Sequence, residues 1–178
     1  MAHGETGFTN KGKIALLTSL FQGATSPTNF YAYLVTNDVV PTADTNTLSN
    51  LVIIPQTGKQ IALTPNSTDF DHPIEDDTND KASIQIKNLN FAGAITDASY
   101  VVLTDDDATE ADRIVYAYWD FGSVRETAVS TNLVVADLQF NLLHIDFHFH
   151  IRRQRFLWGT IAMRSDEYDV GTGGMQFL

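Results

Sequence analysis

One stretch of the chain, residues 133–153, constrains the fold more than any other. It reads LVVADLQFNLLHIDFHFHIRR, and its second half alternates strictly between apolar and polar residues. Alternate side chains of an extended strand point to opposite faces, so this half predicts a β-strand with one apolar and one polar face. The polar face carries His144, Asp146, His148 and His150. We expect the strand to end a β-rich domain at residue 151 and to lead into a C-terminal arm, residues 152–178.

Several shorter apolar runs precede this strand and are separated by turn-forming residues. Strands are predicted over residues 29–36, 51–55, 59–64, 81–87, 100–104, 113–121 and 124–130. Short strands at a spacing of about ten residues, without alternating helices, are typical of all-β sandwiches and jelly rolls. The chain has 178 residues and no cysteine, and this length can bury a core without disulfides. We therefore expect one all-β domain, an antiparallel β-sandwich or jelly roll, over residues 1–151.

A single short helix is predicted near the N-terminus, over residues 10–22 (NKGKIALLTSLFQ). Thr9 or Asn10 can accept a hydrogen bond from an exposed backbone N–H at its start. Gly23 stands where a left-handed cap ends many helices. Gly12 weakens the helix slightly, because glycine is a poor helix former. The residues before the helix are small and polar, and we expect them to be loose.

The apolar residues of this helix recur at helical spacing and form a stripe. Ile14, Leu17 and Phe21 share one face, and Leu16 and Leu20 widen it. Such a stripe is typical of a surface helix that packs its apolar side on the core. We therefore expect Leu17→Asp to destabilise the domain by several kcal/mol, because the substitution would bury a charge.

The charge of the chain is high and uneven. Residues 1–151 hold 7 Lys/Arg against 19 Asp/Glu, a net charge of −12, whereas residues 152–178 have a net charge of +1. The overall net charge of −11 disfavours nonspecific binding to nucleic acid. The first residues lack the apolar core of a signal peptide, and no run approaches the roughly 18 apolar residues of a membrane span. We expect a protein made in a cytoplasm that binds neither nucleic acid nor a membrane.

The predicted arm combines clustered arginines with large apolar residues. Its four arginines fall within thirteen residues and accompany the apolar run RFLWGTIAM, residues 155–163. A Gly-rich hinge and a terminal apolar pair follow, so the arm is expected to dock on a neighbouring subunit. The expected partner-binding residues are Arg152, Arg153, Arg155, Phe156, Trp158, Phe177 and Leu178. The alternatives are a solvated strand end with compensating charges, and a core strand over residues 155–163.

The polar face of the terminal strand also resembles a metal site. Imidazoles two residues apart on a strand share a face and can hold one metal ion, with Asp146 as a third ligand. No Glu or further His follows at a helpful spacing. The alternatives are a polar face on a half-exposed strand and a pH-sensitive interface. We expect no bound metal.

The acidic run TDDDATE, residues 104–110, offers a second set of oxygen ligands. Asp105, Asp107 and Thr109 fit the first three positions of a calcium loop, but Glu110 replaces the required glycine. No acid stands at the last position of the motif, so we interpret the run as an acidic surface loop. The chain also lacks a cysteine nucleophile, a GxSxG motif and a phosphate-binding glycine loop. We therefore expect neither an enzyme nor a cofactor.

Three segments carry a resemblance to a known group of proteins. FTNKGKIALLTSLFQG, TNFYAYLVTND and ITDASYVVLT, within residues 8–145, resemble small virion structural proteins of tailed bacteriophages. This resemblance implies a β-sandwich or jelly roll that works as a capsid cement or decoration protein. Such a protein is made in the host cytoplasm, resides on the capsid surface of the virion, forms homo-oligomers and clamps neighbouring major capsid proteins. The chain beyond residue 143 departs from the usual pattern of the group and suits an added arm.

Two other functions stay open at this point. The same sandwich would serve as a tail or baseplate structural protein of a phage. A glycan-binding or glycan-cleaving module is the other alternative, because Tyr116, Tyr118 and Trp119 can stack on sugars. Their alternation along one strand is better explained by packing on the core and on the sheet surface.

Overall fold

The computed structural model describes residues 6–54, 60–78, 81–128 and 131–143, and for 140–143 the backbone alone. One α-helix, α1, covers Asn10–Gln22, and short 3₁₀ turns cover Leu48–Asn50 and Glu110–Asp112. The strands in chain order are β1 (Thr6–Phe8), β2 (Phe30–Val35), β3 (Gln60–Leu63), β4 (Ile74–Asp76), β5 (Lys81–Gln85), β6 (Leu89–Phe91), β7 (Ile95–Thr104), β8 (Val115–Thr127), β9 (Leu133–Val135) and β10 (Gln139–Leu143).

The strands form three antiparallel sheets. The largest has five strands in the order β1-β8-β7-β2-β3, and the others have the orders β10-β5-β4 and β6-β9. All the pairings between these strands are antiparallel. The prediction of an all-β, antiparallel, sandwich-like fold with one short N-terminal helix is confirmed.

Both faces of the five-stranded sheet are covered. Along β2, Ala32 and Leu34 point to one face and Val35 to the other, and all three are fully buried. On the first face, the main core includes Ile86, Leu89, Phe91, Val135 and Leu138, which come from the two smaller sheets and their connections. On the second face, a minor core forms against Leu48 and Leu51 of the loop after β2. A sheet buried on both faces explains the continuous apolar runs of β2 and β7.

Strand β8 is longer than predicted. Residues 113–121 and 124–130 were predicted as two strands with a turn at Gly122-Ser123 between them, but β8 runs unbroken through this pair. Tyr100 of β7 pairs with Asp120 and Ala98 pairs with Arg125, so β8 has more residues than β7 between these pairs. The extra residues form a bulge at Gly122, whose φ of 67° is easily adopted by glycine.

Both ends of the described chain also differ from expectation. Residues 6–8, expected to be loose, form β1 and pair with β8. The long strand predicted from residue 133 is divided into β9 and β10 at Asp137, whose φ of 59° interrupts the extended backbone. The predicted strand beyond residue 143, its histidine face, the arm and all seven expected partner-binding residues lie outside the described residues.

The bounds and caps of α1 agree with the prediction. The side-chain oxygen of Thr9 accepts a hydrogen bond from the backbone N–H of Gly12 at 2.9 Å, which is an N-cap. Gly23 closes the helix in the left-handed conformation with φ of 70°.

The expected orientation of α1 is wrong. The predicted stripe of Ile14, Leu17 and Phe21 faces away from the sheet, and Leu17 is 42% exposed. Gly12, which is buried, faces β8 instead, and Ala15 and Leu16 pack against the main core. The helix buries its small residues because these allow its backbone to approach the sheet closely. The premise of a large effect of Leu17→Asp, that the substitution buries a charge, is therefore wrong.

Candidate docking surface

The N-terminal end of α1 is fixed to β8 through Thr9. The backbone N–H of Thr9 donates to the carbonyl oxygen of Tyr116 at 2.9 Å. The hydroxyl of Thr9 donates to the carbonyl oxygen of Val115 and accepts the capping hydrogen bond from Gly12. Thr9 is fully buried, so these hydrogen bonds are shielded from water. They hold the helix in one position and one rotation on the sheet.

Gly12 sets the distance between α1 and β8. A Cβ atom at this position would lie 2.6 Å from both the Cα and the carbonyl oxygen of Tyr116. Real Cβ atoms essentially never come this close to backbone, so any larger residue forces the helix or the strand to move. Ala15 follows one turn later and packs against the main core. The contact is therefore built from small residues, with the helix backbone against the strand backbone.

The opposite side of the helix presents large apolar side chains to solvent. We call this the outer face, defined by Ile14, Leu17, Leu20 and Phe21, which are 59%, 42%, 74% and 76% exposed. Ten large apolar side chains are exposed among the described residues, and these four lie on one helix. Single exposed apolar residues are normal on a protein surface, but a cluster of four indicates an interaction site.

An apolar cleft lies beside the helix, on the side of Leu16. Its volume is about 450 Å³, and its apolar lining includes Phe8, Leu16, Phe30, Phe70, Ile84 and Tyr116. The ring of Phe30 packs edge-on against Phe70 at 5.8 Å and against Tyr116 at 5.4 Å, between ring centroids. These edge-to-face contacts hold the aromatic rings of the lining in place.

Internal hydrogen bonds order the loop that forms the rim of the cleft. The side-chain oxygen of Asn66 accepts from the backbone N–H groups of Thr68 and Asp69 at 2.9 and 3.1 Å. The carboxylate of Asp69 accepts from the backbone N–H of Thr64 at 2.7 Å and forms an ion pair with Lys87. Burial opposes ionisation, but these two hydrogen bonds outweigh it and lower the pKa of Asp69. The rim is therefore held by ionic and backbone contacts, and the cleft is preformed.

The acidic run at residues 104–110 is a folded turn. Asp106 accepts from the backbone N–H groups of Thr28 and Asn29 at 2.9 and 3.0 Å, and Asp105 accepts from that of Ile114 at 3.0 Å. Burial raises the pKa of Asp105, and the charges of its acidic neighbours add to this effect. These carboxylates tie the start of β2 to the connection between β7 and β8. Among the described residues, no group of three or more acidic or histidine side chains is placed to hold a metal ion.

The aromatic residues of β8 form no sugar-stacking platform. Trp119 and Tyr116 are 3% and 5% exposed and belong to the main core. The indole N–H of Trp119 donates to the carbonyl oxygen of Gln139 at 2.9 Å. Burial and the charges of Asp105 and Asp106 raise the pKa of Tyr116 to about 12. Tyr118 packs against the minor core on the other face, so packing on the two sides of the sheet explains the placement of these aromatic residues.

Another polar cluster escaped the sequence interpretation. The guanidinium of Arg113 lies 4.2 Å from the centroid of the Tyr31 ring, a cation–π contact. The hydroxyl of Tyr33 lies 2.8 Å from the side chain of Gln60 and 2.9 Å from that of Glu110. Burial and the hydrogen bond to Glu110 raise the pKa of Tyr33, so its hydroxyl stays neutral. These groups satisfy one another's hydrogen bonds at the edge of the minor core.

A second pattern in the helix sequence indicated which side packs on the sheet, although the apolar stripe pointed the other way. Gly12, Ala15 and Ser19 recur three and four residues apart and mark a side of small residues opposite the large ones. Such a side is typical of close helix packing.

Comparisons of the chain with family models, with curated proteins and with solved structures find no match. In the part of the chain that the structure describes, no helix has the length and apolarity needed to cross a membrane.

Proposed function

We propose that the protein is a non-enzymatic virion structural protein, a capsid decoration or cement protein that oligomerises and binds neighbouring major capsid proteins through the outer face of α1. The observation that carries this proposal is the outer face itself. An isolated domain has no use for four large apolar side chains on a helix already fixed to its sheet. A protein that works as part of a larger assembly requires such a surface.

The size of the outer face suits an attachment site that is repeated many times. Each large apolar side chain contributes about 1.5–3 kcal/mol when it is fully buried, before ordering costs are subtracted. A contact of this strength attaches one copy modestly, and many copies on one particle add up to a stable layer. The net charge of −11 keeps free copies soluble while their apolar faces are exposed.

The resemblance to phage virion proteins concerns this same helix. The apolar positions of its motif are Leu16, Leu17, Leu20 and Phe21, and only Leu16 packs against the core. The part of the pattern that packing does not explain thus lies on the outer face. This overlap supports the outer face as the attachment surface of this chain.

Attachment to particles stripped of this protein tests the proposal. The variant with Leu17→Asp and Phe21→Asp alters the outer face, and Val134→Asp is the matched control at another exposed apolar residue, on β9. We expect the double variant to fold and to lose at least about tenfold in particle affinity, which corresponds to roughly 1.4 kcal/mol. The control should bind like the unaltered protein.

Equal occupancy of the double variant and the control would contradict the proposal.

The copy number of this protein in purified virions distinguishes a capsid decoration protein from a tail protein. A copy number in the hundreds supports a capsid decoration protein, whereas a few copies confined to the tail would support the tail or baseplate alternative.

A further inference from the structure

We propose that the apolar cleft beside α1 is the docking site for the arm, residues 152–178, of a second copy of this chain. This inference deepens the proposed function and rests on it in one respect, the self-association of the protein. It assigns the two surfaces separately. The outer face of α1 binds the capsid partner, and the cleft joins one copy to the next.

The cleft has the properties of a receptor for large apolar side chains. Its volume of about 450 Å³ lies within the roughly 300–1,000 Å³ of clefts that enclose organic ligands. Its lining is aromatic and aliphatic, and the ordered rim keeps it open. Such a cleft can hold a cluster of large apolar side chains. An apolar segment that enters it lowers its free energy because its apolar surface is removed from water.

The arm has the matching chemistry. Phe156 and Trp158 lie two residues apart, so an extended segment presents both to the same side. Arg152, Arg153 and Arg155 immediately precede or separate them. Two aromatic side chains entering the cleft would therefore bring several guanidinium groups to its rim.

The rim and the whole domain carry the opposite charge. Asp71 lines the cleft, and hydrogen bonds from the backbone N–H and then the ring of His72 lower the pKa of Asp71. Residues 1–151 have a net charge of −12, while the arm has a net charge of +1. Arginine pairs with carboxylates in a bidentate geometry, which fixes the register of a docked segment. Charge complementarity thus favours this arm over an unrelated acidic or neutral peptide.

The strand that leads toward the arm passes the cleft and runs beyond it. Strand β10 passes Ile84 of the cleft at Phe140 and continues to Leu143, opposite Lys81. At about 3.3 Å per residue, Leu143 lies roughly 10 Å past the level of Ile84 along the strand. The arm has 27 residues. Fully extended, it would reach on the order of 90 Å, so its length permits docking on a second copy.

Full-length variants test each side of the contact. Ser67 is exposed and lines the cleft, so Ser67→Trp fills it without altering the core. Thr68→Trp, at the adjacent exposed residue that does not line the cleft, is the matched control. The arm variant carries Phe156→Asp and Trp158→Asp. Circular dichroism confirms that each variant is folded before its mass is measured by sedimentation equilibrium.

We expect the unaltered protein and Thr68→Trp to self-associate with equal affinity. Ser67→Trp and the arm variant should each lose at least about tenfold in association affinity. An equimolar mixture of these two variants should associate again, because one supplies an intact arm and the other an intact cleft. Restoration in the mixture requires exchange between copies.

Several results would overturn the inference. These are self-association of Ser67→Trp like that of its control, a mixture that associates no better than its components, and a monomeric unaltered protein. A copurified apolar small molecule, detected by native mass spectrometry in the unaltered protein and lost in Ser67→Trp, would also overturn it. None of these results concerns the outer face of α1, so the particle-binding experiment fails or succeeds independently.

Discussion

The two faces of α1 contrast in an unexpected way: the face with the small side chains is buried, and the face with the large apolar side chains is exposed. The inner face uses Thr9, Gly12 and Ala15 to contact β8 and the main core. The outer face carries the larger apolar residues and leaves them exposed. The amount of apolar surface on a helix therefore does not decide which face packs on the domain. Backbone approach and shielded hydrogen bonds decide the inner face, and the outer face stays exposed to solvent.

The largest expected effect is on the inner face, at Gly12. Gly12→Val should destabilise the protein by about 3 kcal/mol, because overpacking against the backbone of Tyr116 forces α1 away from β8. Chemical denaturation of the variant and the unaltered protein measures this difference. An unchanged free energy of unfolding would mean that the helix does not lie close to the strand.

Thr9→Val should have the next largest effect, about 2 kcal/mol. The substitution keeps the size of the side chain but removes the cap, so the N–H of Gly12 loses its hydrogen bond. Thr9→Ser is the matched control, because it retains the hydroxyl and should recover most of the stability. If valine and serine were equally stable, the buried hydroxyl would play no part in fixing the inner face.

A third, smaller effect is expected at Asp69, on the rim of the cleft. The pKa of Asp69 is lowered in the folded protein, so its contribution is present above the unfolded pKa of about 4 and is lost as pH falls through the folded pKa. We expect about 1 kcal/mol of acid-sensitive stability from this group. Asp69→Asn should remove that part of the pH dependence, measured by denaturation between pH 2 and pH 6. An identical pH profile in the variant would show that the Lys87 contact contributes nothing.

The smallest expected effect on stability is on the outer face. Leu17→Asp should change the free energy of unfolding by no more than about 0.5 kcal/mol, because the side chain is largely exposed. Ala15→Asp, on the inner side of the same helix, is the contrasting variant and should destabilise strongly, because it packs against the main core. A large loss of stability in the Leu17 variant would show that this side chain is buried, and the contrast between the two faces of the helix would then fail.

The sequence predicted those features that depend on local chemistry. The bounds of α1 followed from Thr9 and Gly23, because capping is a property of adjacent residues. Strands β2, β3, β5 and β7 followed from alternation or from β-branched and aromatic content. The three-residue strands β1, β4 and β6 did not, because they are too short to show a period.

The features that were missed depend on contacts between distant parts of the chain. Helical periodicity is the same for a stripe that faces the core and one that faces a partner, so it did not give the rotation of α1. Gly122 was interpreted as a turn because a bulge within a long strand looks the same in sequence. The cleft joins residues from β1, α1, β2, β5 and β8, and only the tertiary fold brings them together.

Hydroxyl-radical footprinting measures whether the outer face of α1 is covered when the protein is attached to a phage particle. The oxidation rates of Leu17, Leu20 and Phe21 are compared between the free protein and the protein attached to its particle, with Val134 as an exposed internal reference. We expect attachment to reduce the oxidation of the three helix residues strongly and to leave that of Val134 unchanged. Equal oxidation of the helix residues in the two states would contradict it, because the outer face would then be uncovered in the assembly.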